Sequence, residues 1–277
     1  MGELFGLLGH PVSHSMSPLM HNDAFNHLEL PYYYQAFDVA PNDLAQAVNG
    51  LRVLNVKGFN VTIPHKVAIM DLLDEIDDEA VAIGAVNTVV NEGGKLKGYN
   101  TDGQGYVESL IPKLAKPLSE QKVLVVGAGG AARAIFVSLA KRGVAQLDIT
   151  NRTEQKAESI VNSCPYSTIS NVKSIQKAEV TVNEYDVLIQ TTAVGMSPDV
   201  KQMPMALDNL ESGKIVSDII YNPIQTAWLQ TAEAKGSMIL NGIGMFVGQG
   251  ALSFEKWTGL KPDKARMEEI VKVQLGG

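Results

Sequence analysis

The chain reads as an α/β protein with two domains, and three observations carry that expectation. Short apolar runs alternate with segments of helical period almost from end to end, the pattern of mostly parallel strands joined by crossover helices. One apolar run, residues 123–126, leads directly into Gly-Ala-Gly-Gly-Ala-Ala-Arg and then a helical stretch. The length, 277 residues, is near twice the roughly 150 of a typical domain. Composition agrees: 45% hydrophobic and 19% charged is an ordinary globular mix, while 6% aromatic residues beside 25 glycines argue against an aromatic-rich β-sandwich.

In chain order, residues 4–9 form a strand that ends at a Gly-His-Pro turn. Ser17-Pro18 opens a helix, with Ser17 as N-cap and Pro18 preformed for the first turn; Met20, Ala24, Phe25 and Leu28 follow at helical spacing. Residues 32–39 read as strand and 42–51 as helix. A short strand, 58–62, precedes a helix opened by Pro64 and running from His65 to about Leu73. Residues 86–91 and 95–99 flank Gly93-Gly94, a hairpin signal, so this first region has its own mixed sheet. The texture changes near Leu118. Strand 123–126, helix 131–142, strand 147–150, helix 154–161 and strands 186–190 and 215–220 then make a doubly wound nucleotide-binding domain. Helices at 246–257 and 262–273 close the chain. With the turn residues Asn-Thr-Asp-Gly as boundary, the division is 1–102, 103–240 and 241–277, the last segment returning to the first domain.

The net charge of −7 disfavours a general nucleic-acid binder. No apolar run approaches the roughly 20 residues of a spanning helix, and the first residues lack the pattern of a signal peptide. The single cysteine, Cys164, excludes an intramolecular disulfide and fits a reducing cytoplasm. His10, His14 and His21 are separated by Pro11 and Pro18, and neither a metal signature nor a Gly-x-Ser-x-Gly elbow occurs.

Gly127, Gly129 and Ala132 fit G-x-G-x-x-G/A between a strand and a helix, the context that makes the pattern informative. Gly127 permits the tight turn, Gly129 lets backbone approach a pyrophosphate, and Ala132 allows close helix–strand packing. With Ala128, Gly130 and Ala131, they offer a helix N-terminus to phosphates. Asp148 lies about where an NAD-binding acid would stand, but inside its strand. The tip is Asn151-Arg152-Thr153, a guanidinium beside a hydroxyl, which suits a 2′-phosphate and points to NADP(H).

In the first region, Ser15 and Ser17 either cap a helix and fill a turn or seat a small carboxylate at a positive helix end. Lys66 falls in the first turn of its expected helix, where the dipole disfavours a cation; that suits a lysine exchanging a proton, although a snorkelling surface lysine has the same sequence. His65 reads as a packing residue. Asp102 either caps the next helix or pairs with Lys66. Asn87, within an apolar run, needs a partner if buried.

The segments SHSMSP, NVTIPHK, GAVNT, GYNTD, GAGGAAR, NRT, DIIYNP and NGIGMFVGQGA, in this order from Ser13 to Ala251, resemble the shikimate dehydrogenase family. The resemblance implies a substrate domain and an NADP domain around a cleft, and NADPH-dependent reduction of 3-dehydroshikimate to shikimate by a cytoplasmic monomer or homodimer. It implies Lys66 and Asp102 as the acid/base pair, Ser15 and Ser17 on the substrate carboxylate, and Thr62, Asn87 and Gln249 on ring hydroxyls. Tyr221 and Gly242 would lie along the cleft and Met245 near the nicotinamide, with Asn151, Arg152 and Thr153 on the 2′-phosphate. Gln190 and Thr191 depart from the family's smaller residues, and Gly250 stands where alanine is common, an expected loosening of its helix. Rival readings are a quinate/shikimate dehydrogenase with relaxed cofactor use, a non-catalytic NADPH-sensing module, and a folate-linked dehydrogenase of the same architecture.

Overall fold

In the computed structural model, which describes residues 2–276, the strands sort into two six-stranded sheets. The chain divides into two units: residues up to Asp102 together with those from Val247 onward, and Gly103–Phe246. Among the described residues no helix is long and apolar enough to cross a membrane.

The first unit contains β1 (Glu3–Gly9), α1 (Ser17–His27), β2 (Tyr32–Asp38), α2 (Leu44–Val53), β3 (Gly58–Val61), β4 (Glu75–Ile76), α3 (Asp78–Ile83), β5 (Thr88–Glu92) and β6 (Lys95–Tyr99). The order β2-β1-β3-β5-β6-β4 is mixed: β2, β1 and β3 run parallel, while β5 is antiparallel to both β3 and β6. The β5–β6 hairpin turns at Gly93 and Gly94, both at positive φ, as the sequence leads one to expect. One sheet face buries Leu8, Phe59, Val61, Val89 and Leu96 with Leu44, Val48 and Leu51 of α2.

The second unit is the doubly wound one. It holds β7 (Lys122–Val126), α5 (Gly130–Lys141), β8 (Gln146–Thr150), α6 (Glu154–Ser163), β9 (Val172–Lys173), α7 (Ile175–Val180), β10 (Val187–Gln190), β11 (Ile215–Asp218), α8 (Ala227–Ala234) and β12 (Met238–Leu240). Every strand pair in the order β12-β11-β10-β7-β8-β9 is parallel. Period-two alternation splits the strands between two cores. Val123, Val125, Ile149 and Ile189 pack with Ile135, Phe136 and Leu139 of α5, while Leu124, Val126, Leu188 and Val216 pack with Ala178, Trp228 and Leu229.

Two helices span the unit boundaries, α4 (Asp102–Leu110) and α9 (Ile243–Thr258), and α10 (Lys264–Gln274) closes the chain. The turn expected at Asn-Thr-Asp-Gly is therefore the start of a helix. Its Gly103 is explained by packing: a Cβ there would stand 2.3 Å from the Ala134 carbonyl oxygen of α5. Three further expectations are corrected. Ser17 is the first residue of α1 and not its cap; with Pro18 in the first turn, the cap position falls to Met16, and the Ser17 N–H donates to Ser15 Oγ at 3.2 Å. The helix expected from His65 is a turn followed by a short 3-10 stretch, Ala68–Leu72, so Lys66 occupies no helical first turn and the dipole argument lapses. Gly250 fills no loosened site: a Cβ there would meet Met20 Cε at 2.3 Å, so the glycine admits α1 against α9.

Candidate functional site

Strand register delivers the polar residues of the first unit to one sheet edge. Leu8 of β1 lies beside Val61 of β3, and Asn60 opposite Thr88 of β5. Thr88 in turn faces Tyr99 of β6. The chain leaving β1 carries Ser15 and Ser17, the chain leaving β3 carries Thr62 and Lys66, the chain entering β5 carries Asn87, and the chain leaving β6 carries Asp102. Backbone bonds lock the edge: Thr62 N–H donates to the Leu8 carbonyl, Val86 N–H to the Lys66 carbonyl and Asn87 N–H to the Tyr99 carbonyl, at 2.8, 2.8 and 3.0 Å. His65 is buried, its Nε2 2.7 Å from the Val39 carbonyl, which pins the turn beneath Lys66 and fits its reading as a packing residue.

Lys66 Nζ donates to Asp102 Oδ2 at 2.6 Å. Asn87 Nδ2 donates to the other oxygen, Oδ1, at 2.8 Å, and lies 3.5 Å from Gln249 Oε1 of α9. Both Asp102 oxygens are thus occupied and the carboxylate is fixed. Side-chain exposure is 27% for Lys66 and 11% for Asp102, so the ammonium keeps access to solvent while its partner is sheltered. An ammonium has three donors; one is spent on Asp102 and two can face a substrate oxygen. Ser15 and Thr62 stand on the neighbouring loops and Ser17 at the start of α1. Polar residues that no sequence motif singles out complete the edge: Asn60, Thr88, Thr101 and Ser253 bond to one another and to Asn87. The signal that singles out Asn87, a polar residue in an apolar strand run, is present equally at Asn60 and Thr88.

In the second unit the glycine-rich turn begins at Gly127, whose φ of +113° is a conformation L side chains rarely adopt. A Cβ there would stand 2.5 Å from Thr191 Oγ1, whereas around Gly129 and Gly130 a Cβ would meet nothing within 4 Å. No side chain caps α5 at Gly129, so open space lies before an uncapped helix N-terminus, which fits a pyrophosphate. Ala128 and Ala131 complete the turn, and Ala132 is fully buried. Gly127 N–H donates to the Thr150 carbonyl at 2.8 Å, setting the loop beside Asn151, Arg152 and Thr153. Asn151 Nδ2 bonds the Thr153 carbonyl, Arg152 is exposed, and the Thr153 hydroxyl makes no capping bond at the start of α6. Asp148, fully buried, accepts from Asn171, Gln146 and the Tyr185 hydroxyl. It is structural, and the strand tip carries no acid.

The departures at Gln190 and Thr191 serve the loop beside this turn. Buried Gln190 donates to the Thr192 and Val194 carbonyls and accepts from Thr192 N–H, while Thr191 Oγ1 donates to the Val126 carbonyl at 2.7 Å. Tyr221 is half-buried, its ring 5.1 Å from that of Phe246, and Met245 lies in the core beside α4 and α5. Gly242 is demanded by packing, since a Cβ there would stand 2.0 Å from the Ile219 carbonyl oxygen.

The Tyr221 loop is anchored by Asp218, which accepts from Ile220 N–H and from the Thr226 hydroxyl at 2.9 and 2.8 Å. Burial pushes this carboxyl up to about 6, against smaller opposite effects of those two bonds. A folded value above the unfolded one means that the charged form destabilises the fold at neutral pH, and that stability is regained as pH falls through 6 toward 4. Between pH 7.5 and pH 4 the wild type should therefore gain about 2 kcal/mol relative to Asp218→Asn in urea unfolding. A constant difference would refute the shift.

Family models describe the same layout. The shikimate dehydrogenase substrate binding domain matches residues 7–89, shikimate / quinate 5-dehydrogenase residues 109–219, and the shikimate 5′-dehydrogenase C-terminal domain residues 242–272. A shikimate dehydrogenase (NADP(+)) of Geobacillus sp. is 53% identical over 277 residues, all of both chains.

The chain belongs to the shikimate dehydrogenase family.

Solved shikimate dehydrogenase structures agree over nearly the whole length. Shikimate 5-dehydrogenase from Listeria monocytogenes, in complex with shikimate and NAD, is 37% identical with a TM-score of 0.92, covering 98% of this chain and 96% of that one. The enzyme from Thermus thermophilus, in complex with NADP(H) and shikimate, is 35% identical with a TM-score of 0.88, covering 98% and 99%.

Proposed function

We propose that the chain reduces 3-dehydroshikimate to shikimate with NADPH, reversibly, and that Lys66 and Asp102 are its acid/base pair. It is an NADP-dependent oxidoreductase of the shikimate pathway. The carrying observation is the lysine 2.6 Å from a carboxylate whose other oxygen is already held by Asn87. When bound, NADPH supplies the hydride. Gly127, Ala128, Gly129, Gly130, Ala131 and Ala132 would hold its pyrophosphate, Asn151, Arg152 and Thr153 its 2′-phosphate side, and Gly242 and Met245 the nicotinamide side. Lys66 gives a proton to the carbonyl oxygen of the substrate as that oxygen becomes a hydroxyl. Asp102 holds the ammonium in place and, with Asn87, Thr62 and Gln249, orients the ring hydroxyls. Ser15 and Ser17 receive the carboxylate, and Tyr221 lies along the substrate. The chain acts in the cytoplasm as a monomer or homodimer.

Absorbance at 340 nm, with shikimate and quinate each crossed against NADP⁺ and NAD⁺, tests the reading. Rapid reduction with shikimate and NADP⁺ is expected, and little with quinate. No turnover in any combination, with NADPH still bound, would overturn it. The exposed Arg152 at the strand tip, where no acid stands to hold a ribose hydroxyl, favours NADP⁺ over NAD⁺; equal use of both would remove that role from Arg152.

A further inference from the structure

Three hydroxyls, those of Thr88, Thr101 and Ser253, lie between the amides of Asn60 and Asn87, each at most 1% exposed. Thr88 is the hub. Its Oγ1 is 2.9 Å from Asn87 Oδ1, 2.7 Å from Ser253 Oγ and 3.2 Å from Asn60 Nδ2. Ser253 Oγ accepts from Asn60 Nδ2 at 3.0 Å and stands 2.9 Å from the Gln249 carbonyl of its own helix.

We propose that Thr88, backed by Ser253, is a positioning residue: its hydroxyl fixes the amide of Asn87 and, through it, the carboxylate that holds Lys66. The proposal rests on the reading of Lys66 and Asp102 as the acid/base pair. The Thr101 N–H, 2.8 Å from Asn87 Oδ1, settles which way round the amide sits, so that Nδ2 faces Asp102. One bond to that oxygen leaves the amide plane free to twist about its last torsion, which is broad and soft. The Thr88 hydroxyl provides a second bond to the same oxygen, and Thr101 Oγ1 accepts from Nδ2 at 3.0 Å. Together they hold the plane from both sides.

Counting protons assigns the role of Ser253. Thr88 has one proton and two near acceptors, Asn87 Oδ1 and Ser253 Oγ. When Ser253 donates to Thr88, the Thr88 proton goes to Asn87. When Ser253 donates instead to the Gln249 carbonyl, the Thr88 proton is drawn to Ser253, and Asn87 Oδ1 is left to the Thr101 N–H and the longer, 3.2 Å contact of the Thr101 hydroxyl. Without the serine hydroxyl, Thr88 has only Asn87 left to choose of these two acceptors but is itself less firmly held. Fully satisfied buried networks of this kind rigidify what they touch.

The test compares Thr88→Val, which keeps the shape and removes the hydroxyl, with Thr88→Ser, which keeps the hydroxyl. Both are assayed for shikimate oxidation with NADP⁺ across pH, beside Lys66→Ala. Thr88→Val should lower kcat by about 10-fold or more with KM for shikimate within about 3-fold, and should displace the pH profile of kcat; that pattern marks a loss felt in the transition state. Thr88→Ser should restore kcat to within about 3-fold, with the wild-type profile. If Thr88→Val does not fold, Thr88→Ala, which likewise removes the hydroxyl, carries the same expectation of a lower kcat and a displaced profile. Folded Thr88→Val with wild-type kcat and profile overturns the proposal, as does Thr88→Ser falling as far as Thr88→Val. If Lys66→Ala itself keeps wild-type kcat, the acid/base reading fails and the proposal falls with it. If Lys66→Ala is inactive while Thr88→Val is normal, only the positioning role is lost.

Discussion

Lys66→Ala is expected to lower kcat by about 10²- to 10⁴-fold, the usual worth of a positioned proton donor. Lys66 Nζ is bonded to Asp102, its backbone is pinned by the bond from Val86 N–H to its carbonyl, and its side chain keeps 27% exposure. KM for shikimate should change only modestly, because Ser15, Ser17, Thr62, Asn87 and Gln249 remain. The fold should survive: Asp102 stays bonded to Asn87 and, through its own N–H, to Asn100. Lys66→Arg should not restore the rate, since a guanidinium keeps its proton and presents a planar fork where a compact ammonium fits. A near-normal kcat in Lys66→Ala, measured at 340 nm, would remove the lysine from the chemistry.

The second large effect is on stability. His21 of α1 is completely buried, stacked 4.6 Å from the Tyr34 ring and 6.4 Å from Phe254, with Trp257 at 5.2 Å. Among the described residues neither ring nitrogen has a partner at hydrogen-bond distance and angle. Burial pushes its ionisation down to about 3, against a smaller opposite pull from Asn60. A folded value below the unfolded 6.5 means that the unfolded chain binds the proton first, so stability is full above 6.5 and falls as pH drops toward 3. The slope is about 1.4 kcal/mol per pH unit, or roughly 3 kcal/mol between pH 6.5 and pH 4. His21→Phe keeps an aromatic ring and removes the site of protonation. In urea unfolding its stability relative to wild type should rise by that amount from pH 7 to pH 4. Trp257 fluorescence in a Trp228→Phe background reports the first unit alone, because Trp228 lies in the second. A difference that does not change with pH would show that His21 never pays for protonation on unfolding. The sign is opposite to that of Asp218, so the two units should respond in opposite senses to mild acid.

Much of the candidate site is legible in the sequence because its parts are local. Gly-Ala-Gly-Gly after four apolar residues specifies a strand, a turn and a helix within about ten positions, and Arg152 stands where the next strand ends. Asp148 is likewise readable as interior to its strand, and its buried bonds to Asn171 and Tyr185 agree. Lys66 and Asp102 are singled out by their motifs, but 36 positions separate them, and the 2.6 Å contact exists only through the registers of β3, β5 and β6.

Where local reading goes astray, a distant neighbour is the cause. Gly103 looks like a turn residue and Gly250 like a weak point in a helix, yet each is a surface against which α5 or α1 packs. Nothing within a few positions of either glycine carries that information. Ser253, 165 positions from Thr88, has no local signal at all beyond being a hydroxyl in an apolar helix.

By itself, then, the amino-acid sequence determined the alternation of strands and helices, the glycine-rich turn, the residue types at the strand tips and the family. These depend on steric and hydrogen-bonding preferences that act over a few residues. The tertiary structure alone decided which hydroxyl faces Asn87, why its amide sits as it does, and why His21 stays neutral, because burial and bonding between strands far apart in the chain arise only once the sheet has formed.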